Sequence, residues 1–195
     1  MCFVDKYILK EGQRVILSLF VVAIILHLLH LEFLSALFLL IFFLSLYIFR
    51  NQKIDINQDA KIISPISGVV HAIDFDEKYK IIYINTSLFD NSILLAPQTG
   101  ELKLTYLKRG INLPLNEKKS KKLNEKLIFE QKDIKVELLS STATNNLALN
   151  FIDENVNIFT KIGVFTQGEV ILFINKEIEL SLQIGQKIEV GTKIA

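Results

Sequence analysis

The chain has 195 residues, with 22 lysines and arginines against 21 acids and a formal net charge of +1. That balance leaves no electrostatic footprint for nucleic acid, and the single cysteine, Cys2, excludes an internal disulfide and a thiolate-rich metal site. Its length allows one soluble domain of about 140 residues beside a membrane segment, enough for a real core.

Residues 1–14 read as a cytoplasmic N-terminus. From Val15 to Phe49 the chain is apolar, and Glu32 is its one formally charged residue. A single helix of that length would be roughly 50 Å long, against a hydrocarbon core of about 30 Å. Split at His30-Leu31-Glu32, the stretch becomes two spans, each near the lower limit of about 17 residues for crossing. The split also moves the Glu32 carboxylate to the water interface, away from a helix centre where it costs about 2.5–3.5 kcal/mol. The sequence therefore predicts a two-helix membrane hairpin over 15–49. A signal peptide has one short apolar core and a small-residue cleavage site. A soluble core helix has periodic polar positions, and the interruptions here, apart from the turn, are Ser18, Ser35 and Ser45.

Lys6, Lys10 and Arg14 precede the hairpin, and Arg50, Lys53 and Lys61 follow it, while the turn has no lysine or arginine. The positive-inside rule then places both ends and the soluble domain on the cytoplasmic side, at the cell inner membrane. His27 and His30, near the turn, read as interfacial or helix-packing residues.

A polar linker over 50–60 leads to a domain over 61–195 made of short β-branched runs cut by turn residues, the pattern of an all-β fold. KIISPISGVVHAI reads as strand, turn, strand, broken at Pro65 and Gly68. KIIYINTS, NSILLAP and GELKLTYL follow, then KLIFEQ and IKVELLSS around a Lys-Asp turn. LALNFI, NIFTKIGVF, EVILFI and IELSLQIGQKIEVGTKIA complete the series. No long amphipathic helix and no fixed-period repeat is evident after Arg50. The run KKSKKLNEK, from Lys118 to Lys126, reads as a solvated loop softened by Glu117 and Glu125. The alternative sets Lys118, Lys119, Lys121 and Lys122 against anionic headgroups, at about 1 kcal/mol per lysine.

This arrangement resembles the short, single-domain form of phosphatidylserine decarboxylase. Phe49-Arg50 matches the start of the family's Phe-Arg-Asp-Pro exit, with Asn51 and Gln52 in place of Asp-Pro. Ile62-Ile63-Ser64-Pro65-Ile66-Ser67-Gly68-Val69-Val70 is similar to Val-Val-Ser-Pro-Ala-Asp-Gly-Lys-Val. Leu88 to Gly100 is similar to the stretch ending Asn-Arg-Ala-Pro-Val-Ser-Gly, and Asn124-Glu125-Lys126 stands where the family has Asn-Glu-Arg. Ile162-Gly163-Val164-Phe165 leads into the position of the cleavage motif. The resemblance implies a membrane hairpin followed by a barrel-sandwich-like all-β domain, phospholipid as partner, and a self-made pyruvoyl cofactor. In the family, a serine after glycine attacks the preceding peptide bond with the help of an Asp and a His, and the resulting pyruvoyl takes the substrate amine as a Schiff base.

The three positions are occupied differently here. Ser67 stands for the Asp, and Ser92 for the His, with Asp90 two residues before it. Phe165-Thr166-Gln167-Gly168-Glu169-Val170 places either Glu169 or, with a one-residue gap, Gly168 where the serine belongs. Neither has a hydroxyl, so the expectation is a catalytically inactive relative with no pyruvoyl and no metal. Its partners would be membrane phospholipid and either a genuine decarboxylase or a second copy of itself.

Two other readings stay open. One is an active decarboxylase with another cleavage site, of which Ser140-Ser141 is the only serine pair. It lies far upstream, with no histidine near it in sequence, and otherwise reads as a strand-end turn. His71, the domain's only histidine, reads as an ordinary strand residue with a base role as the alternative. The other reading is a membrane-fusion-type adaptor. SPISGVV and IGQKIEVGTKIA resemble the opening and closing halves of lipoyl/biotinyl-type barrels, although no carrier lysine sits at a hairpin tip.

Overall fold

The computed structural model describes residues 7–51, 60–144 and 146–195. Cys2, Lys6, Lys53 and most of the linker expected over 50–60 lie outside them. The chain divides into two compact units, Met1–Lys53 and Ile54–Ala195.

In the first unit, α1 (Lys10–Leu28) and α2 (Glu32–Ile48) form an antiparallel hairpin. The turn is tight because His30 adopts a left-handed conformation (φ 57°). Its N–H donates to the His27 carbonyl, and the Leu31 N–H to that of Leu26, both at 3.0 Å. Glu32 opens α2, where the positive end of the helix dipole favours a carboxylate. The open end of the hairpin is stapled by backbone: the Leu9 N–H donates to Phe49 (2.9 Å) and the Asn51 N–H to Tyr7 (2.8 Å). Gly12 lets the Phe49 ring lie on α1, since a Cβ at position 12 would stand 2.2 Å from the ring. Further along, Phe20 meets Phe42 at 5.3 Å between centroids, and the Ser35 hydroxyl donates across the pair to the Ala23 carbonyl at 3.0 Å.

The expectation of two membrane-crossing spans is corrected here. Among the described residues no helix is long and apolar enough to cross a membrane. The 17 residues of α2 cover about 25 Å at 1.5 Å each, short of a core of about 30 Å. The 19 residues of α1 begin with a turn that carries Lys10 and ends at Arg14.

The second unit is an antiparallel β domain. Its strands are β1 (Gly68–Phe75), β2 (Tyr79–Thr86), β3 (Ile93–Leu95), β4 (Gly100–Lys108), β5 (Lys126–Gln131), β6 (Ile134–Ser140), β7 (Glu154–Val156), β8 (Lys161–Val164), β9 (Gly168–Asn175) and β10 (Lys187–Ile188), with the short α3 (Ser120–Leu123) between β4 and β5. Eight strands form one sheet in the order β10-β1-β2-β9-β6-β5-β4-β7, and β3 pairs with β8 as a separate ribbon. The large sheet is open, with β10 and β7 as edges, rather than closed into a barrel.

Side chains alternate between faces along each strand. Val70, Ile84, Val170, Leu138 and Leu127 lie in one cross-strand row, and Ile82, Leu172, Val136 and Phe129 in another. All nine are buried and form the inner face. Leu94 and Ile162 of the ribbon, with Ile62, Ile66, Leu182 and Ile194, complete the core. The two ends of the domain close on each other: the Lys61 and Ile62 N–H groups donate to the Ala195 carbonyl at 3.0 and 3.1 Å.

The two lipoyl-like halves thus meet, with β1 paired to β10. LALNFI is not a strand: it touches β8 through a single bridge, Leu149 to Gly163. Its apolar side chains pack on the core, Leu147 within it and Leu149 and Phe151 against it, without a ladder.

Candidate functional site

The three positions singled out by sequence converge at the start of β9. Gly168 is the first residue of β9 and stands opposite Thr86 on β2 and Ser140 on β6. The Thr86 hydroxyl donates to the Ser67 carbonyl at 3.0 Å, which places Ser67 one strand from Gly168. The Phe165 N–H donates to the Ser92 carbonyl at 2.9 Å, which brings Ser92 beside the segment entering β9. Chain segments about a hundred residues apart in sequence therefore meet at one strand end.

The bonds of these two serines tie the chain together. Ser67, 3% exposed, accepts the Val190 N–H on its hydroxyl at 2.8 Å, tying β1 to the C-terminal segment. Ser92 is equally buried. Asp90 is turned to other work: it accepts from both the backbone and the hydroxyl of Ser87 at 2.9 Å and pairs with Lys187 at 3.4 Å.

Gly168 has no room for a side chain. Its φ is +152°, and a Cβ there would stand 2.2 Å from the Leu139 carbonyl oxygen and 2.6 Å from Phe165 Cζ. Glu169 points to the opposite face from Val170, in the row Val69, Asn85, Glu169, Leu139, Lys126. It is 8% exposed. Lys187, Lys126 and Arg109 are paired with Asp90, Glu137 and Glu125. Among the described residues the Glu169 carboxylate has no hydrogen-bond or ion-pair partner. No hydroxyl stands at either position.

A polar cluster that sequence reading did not assemble surrounds this strand end. The Ser141 N–H donates to the Gln167 carbonyl at 3.1 Å, and the Thr144 hydroxyl donates to the same oxygen. The Thr166 hydroxyl donates to the Ala143 carbonyl at 2.6 Å. The Ser140 hydroxyl donates to Asn112 Oδ1, and Asn124 Nδ2 donates to the carbonyls of Leu113 (2.6 Å) and Ser140 (2.8 Å). Glu125, its side chain 3% exposed, is paired with Arg109. Asn124 and Glu125, singled out by the Asn-Glu-Arg resemblance, thus buttress the strand that faces Gly168.

Ser140-Ser141, set aside as too far upstream, lies directly beside Gln167-Gly168. Its end-of-strand reading also holds, since the Thr144 N–H closes a turn onto the Ser141 carbonyl at 3.0 Å. His71 is exposed on β1 at a bulge, its ring 5.9 Å from that of Tyr83. Among the described residues no group of three or more His, Cys, Asp or Glu is arranged to hold a metal ion.

Of the lysine run, Lys121 and Lys122 lie on α3 and line an open hollow of about 500 Å³ with Thr105, Tyr106, Lys108, Lys126, Ile128, Glu130 and Lys135. Lys118 and Lys119 precede α3 and do not line it.

The chain is 27% identical over 181 residues to the phosphatidylserine decarboxylase proenzyme of Carboxydothermus hydrogenoformans, an alignment covering 83% of this chain and 83% of that protein. No family model and no solved structure matches. The chain is a distant homologue of that proenzyme.

Proposed function

We propose that the chain is a non-cleaving relative of phosphatidylserine decarboxylase that works in phospholipid metabolism as a membrane-associated binding module. The observation that carries the reading is the pair Gly168-Glu169. A pyruvoyl group is born from a hydroxyl or thiol side chain, and the two residues that stand at that position have none. Gly168 has no space for one, and the positions of the Asp and His helpers hold Ser67, whose hydroxyl accepts the Val190 N–H, and Ser92, which has neither a carboxylate nor an imidazole. The residues present therefore do not fit the cofactor. Intact mass of the purified chain tests this: a single species near 22.3 kDa is expected. Two fragments, the C-terminal one carrying a carbonyl at its new end, would overturn it.

The hairpin supports the membrane part of the reading without crossing. Phe33, Leu28, Leu40, Leu17 and Phe43 are each more than 60% exposed, an apolar surface that lipid covers at little cost. The hydroxyls of Ser18, Ser35 and Ser45 are all given to carbonyls of the hairpin itself, so none needs water. We infer that it enters the bilayer from one side, with both ends and the β domain on the cytoplasmic side of an inner membrane. A reporter fused after Ala195 reads that orientation, and a signal from the opposite side excludes it. A non-cytoplasmic reporter is also what the adaptor reading requires.

One observation favours the catalytic alternative: Ser140 stands opposite Gly168. An active decarboxylase using that serine would appear as hydroxylamine-sensitive formation of the ethanolamine lipid, with a chain broken before Ser140.

A further inference from the structure

We propose that the outer face of the β4–β5–β6 corner, together with α3, is a docking surface for anionic phospholipid headgroups. Five lysines converge there: Lys108 from β4, Lys121 and Lys122 from α3, Lys126 from β5 and Lys135 from β6, around the hollow of about 500 Å³. The chain as a whole is balanced, with 22 basic residues and 21 acidic ones, so this is a local field rather than a reflection of composition.

The counter-charges are few. Lys126 is paired with Glu137, and Glu130 is the acid on the lining. Lys108 donates to the Lys122 carbonyl, which brings no counter-charge. Among the described residues Lys121 and Lys122 have no acidic partner.

Two features select a lipid surface over other anions. The cations on the lining are all lysines, and the Arg109 that follows β4 is tied to Glu125. Lysine is a mobile point charge without the rigid fork that grips one phosphate in fixed geometry, which suits a fluid array of headgroups. Apolar side chains also stand beside the lysines. Tyr106 is on the lining and 46% exposed, while Ile111 (67%) and Leu123 (36%) are joined through their backbones at 3.1 Å. Cations for headgroups, with aromatic and aliphatic side chains for the boundary beneath them, make an interfacial footprint. The strands β4, β5 and β6 hold these groups in place, and no rearrangement is needed to present them.

The proposal deepens the membrane reading above and rests on it for proximity to a bilayer. The chain has no tryptophan, so Tyr106→Trp supplies a single reporter, with Ile111→Trp as a second should the first perturb folding. The full chain is reconstituted into vesicles of neutral phosphatidylcholine, or of phosphatidylcholine with phosphatidylglycerol, each containing brominated lipid as quencher.

The expected result is a blue-shifted, quenched reporter in the anionic vesicles only. The signal is lost in about 0.5 M salt and unchanged by added inorganic phosphate. Replacing Lys121→Gln and Lys122→Gln together shifts the docked population by about thirtyfold, with the circular-dichroism melt unchanged. Equal quenching in neutral vesicles, or indifference to the two lysine substitutions, overturns the proposal. So does loss of the signal on adding inorganic phosphate, which marks a discrete anion site. Failure of the hairpin reading is seen separately, as a chain that does not float with neutral vesicles, and recruitment to anionic ones remains measurable in that case.

Discussion

Ser140 and Gly168 stand directly opposite each other on β6 and β9, and the carbonyl of the residue before Ser140 fills the space that a side chain at 168 would need. The glycine is therefore a packing requirement of the sheet. Gly168→Ala or Gly168→Ser forces the Leu139 carbonyl and the Phe165 ring to move and places a Cβ on a positive-φ backbone. The expected loss is about 2–4 kcal/mol, read as a lowered denaturation midpoint of the detergent-solubilised chain. A stability within about 0.5 kcal/mol of the parent chain would show that the strand end has slack.

Glu169 gives the complementary case. The residue is 8% exposed, and its carboxylate makes no ion pair or hydrogen bond among the described residues, so neutralising it removes no contact. Glu169→Gln is expected to cost less than about 0.5 kcal/mol, against the 1.5–3 kcal/mol typical of losing a charge-assisted hydrogen bond. Glu169→Ser restores a hydroxyl after glycine yet is expected to remain a single band on a denaturing gel. Its neighbours Ser67 and Ser92 provide no general base, and an unassisted hydroxyl is a weak nucleophile. Cleavage of this variant would reveal a base elsewhere in the polar cluster.

Arg109 and Glu125 form the pair on which that cluster leans. The Arg109 guanidinium also donates to the Leu147 carbonyl at 2.9 Å, joining two loops. Because the Arg109 side chain is 56% exposed and that of Glu125 is 3% exposed, removing the arginine strands a buried carboxylate. Arg109→Ala is expected to cost about 2–3 kcal/mol, and Arg109→Ala with Glu125→Gln less than the sum of the two single changes. Strict additivity in that double-mutant cycle would show that the pair is not coupled.

The parts of this molecule legible in the sequence are those governed by local pattern. Glu32 placed the hairpin turn because an isolated carboxylate has one tolerable location in an apolar run, and the turn falls at His30 beside it. The Lys132-Asp133 turn between β5 and β6 was readable because a two-residue polar pair separates two strand-like runs. Failures came where geometry is set by distant partners. LALNFI has the composition of a strand, but it meets the edge of β8 at one bridge, Leu149 to Gly163, and leaves it before a ladder forms. Ser140 looked remote from Gly168 because sequence separation was used as a measure of distance, and antiparallel pairing of β6 with β9 cancels it. Asn112 and Arg109 carried no local signal, since each matters only through a loop that folds over the same strand end. The expectation of crossing failed where apolar composition was taken for reach: α1 begins at Lys10, ahead of the apolar run, and α2 has only 17 residues.

That staple makes the last prediction. Phe49, 8% exposed, closes the open end of the hairpin on Gly12, where a Cβ would lie 2.2 Å from its Cγ and 2.5 Å from its Cβ. Gly12→Val should therefore push the ring away and strain the Leu9–Phe49 backbone hydrogen bond, lowering hairpin stability by about 2 kcal/mol. Phe49→Ala alone opens a cavity and costs about 3 kcal/mol. With both changes the valine occupies part of the space the ring leaves, so the pair together should cost at least about 1 kcal/mol less than the sum. Amide hydrogen exchange at Leu9 in detergent micelles reads the effect at the staple itself. Faster exchange in each single variant and partial recovery in the double one is the expected pattern, whereas unchanged exchange at Leu9 in Gly12→Val would mean that the ring and the glycine are not in contact.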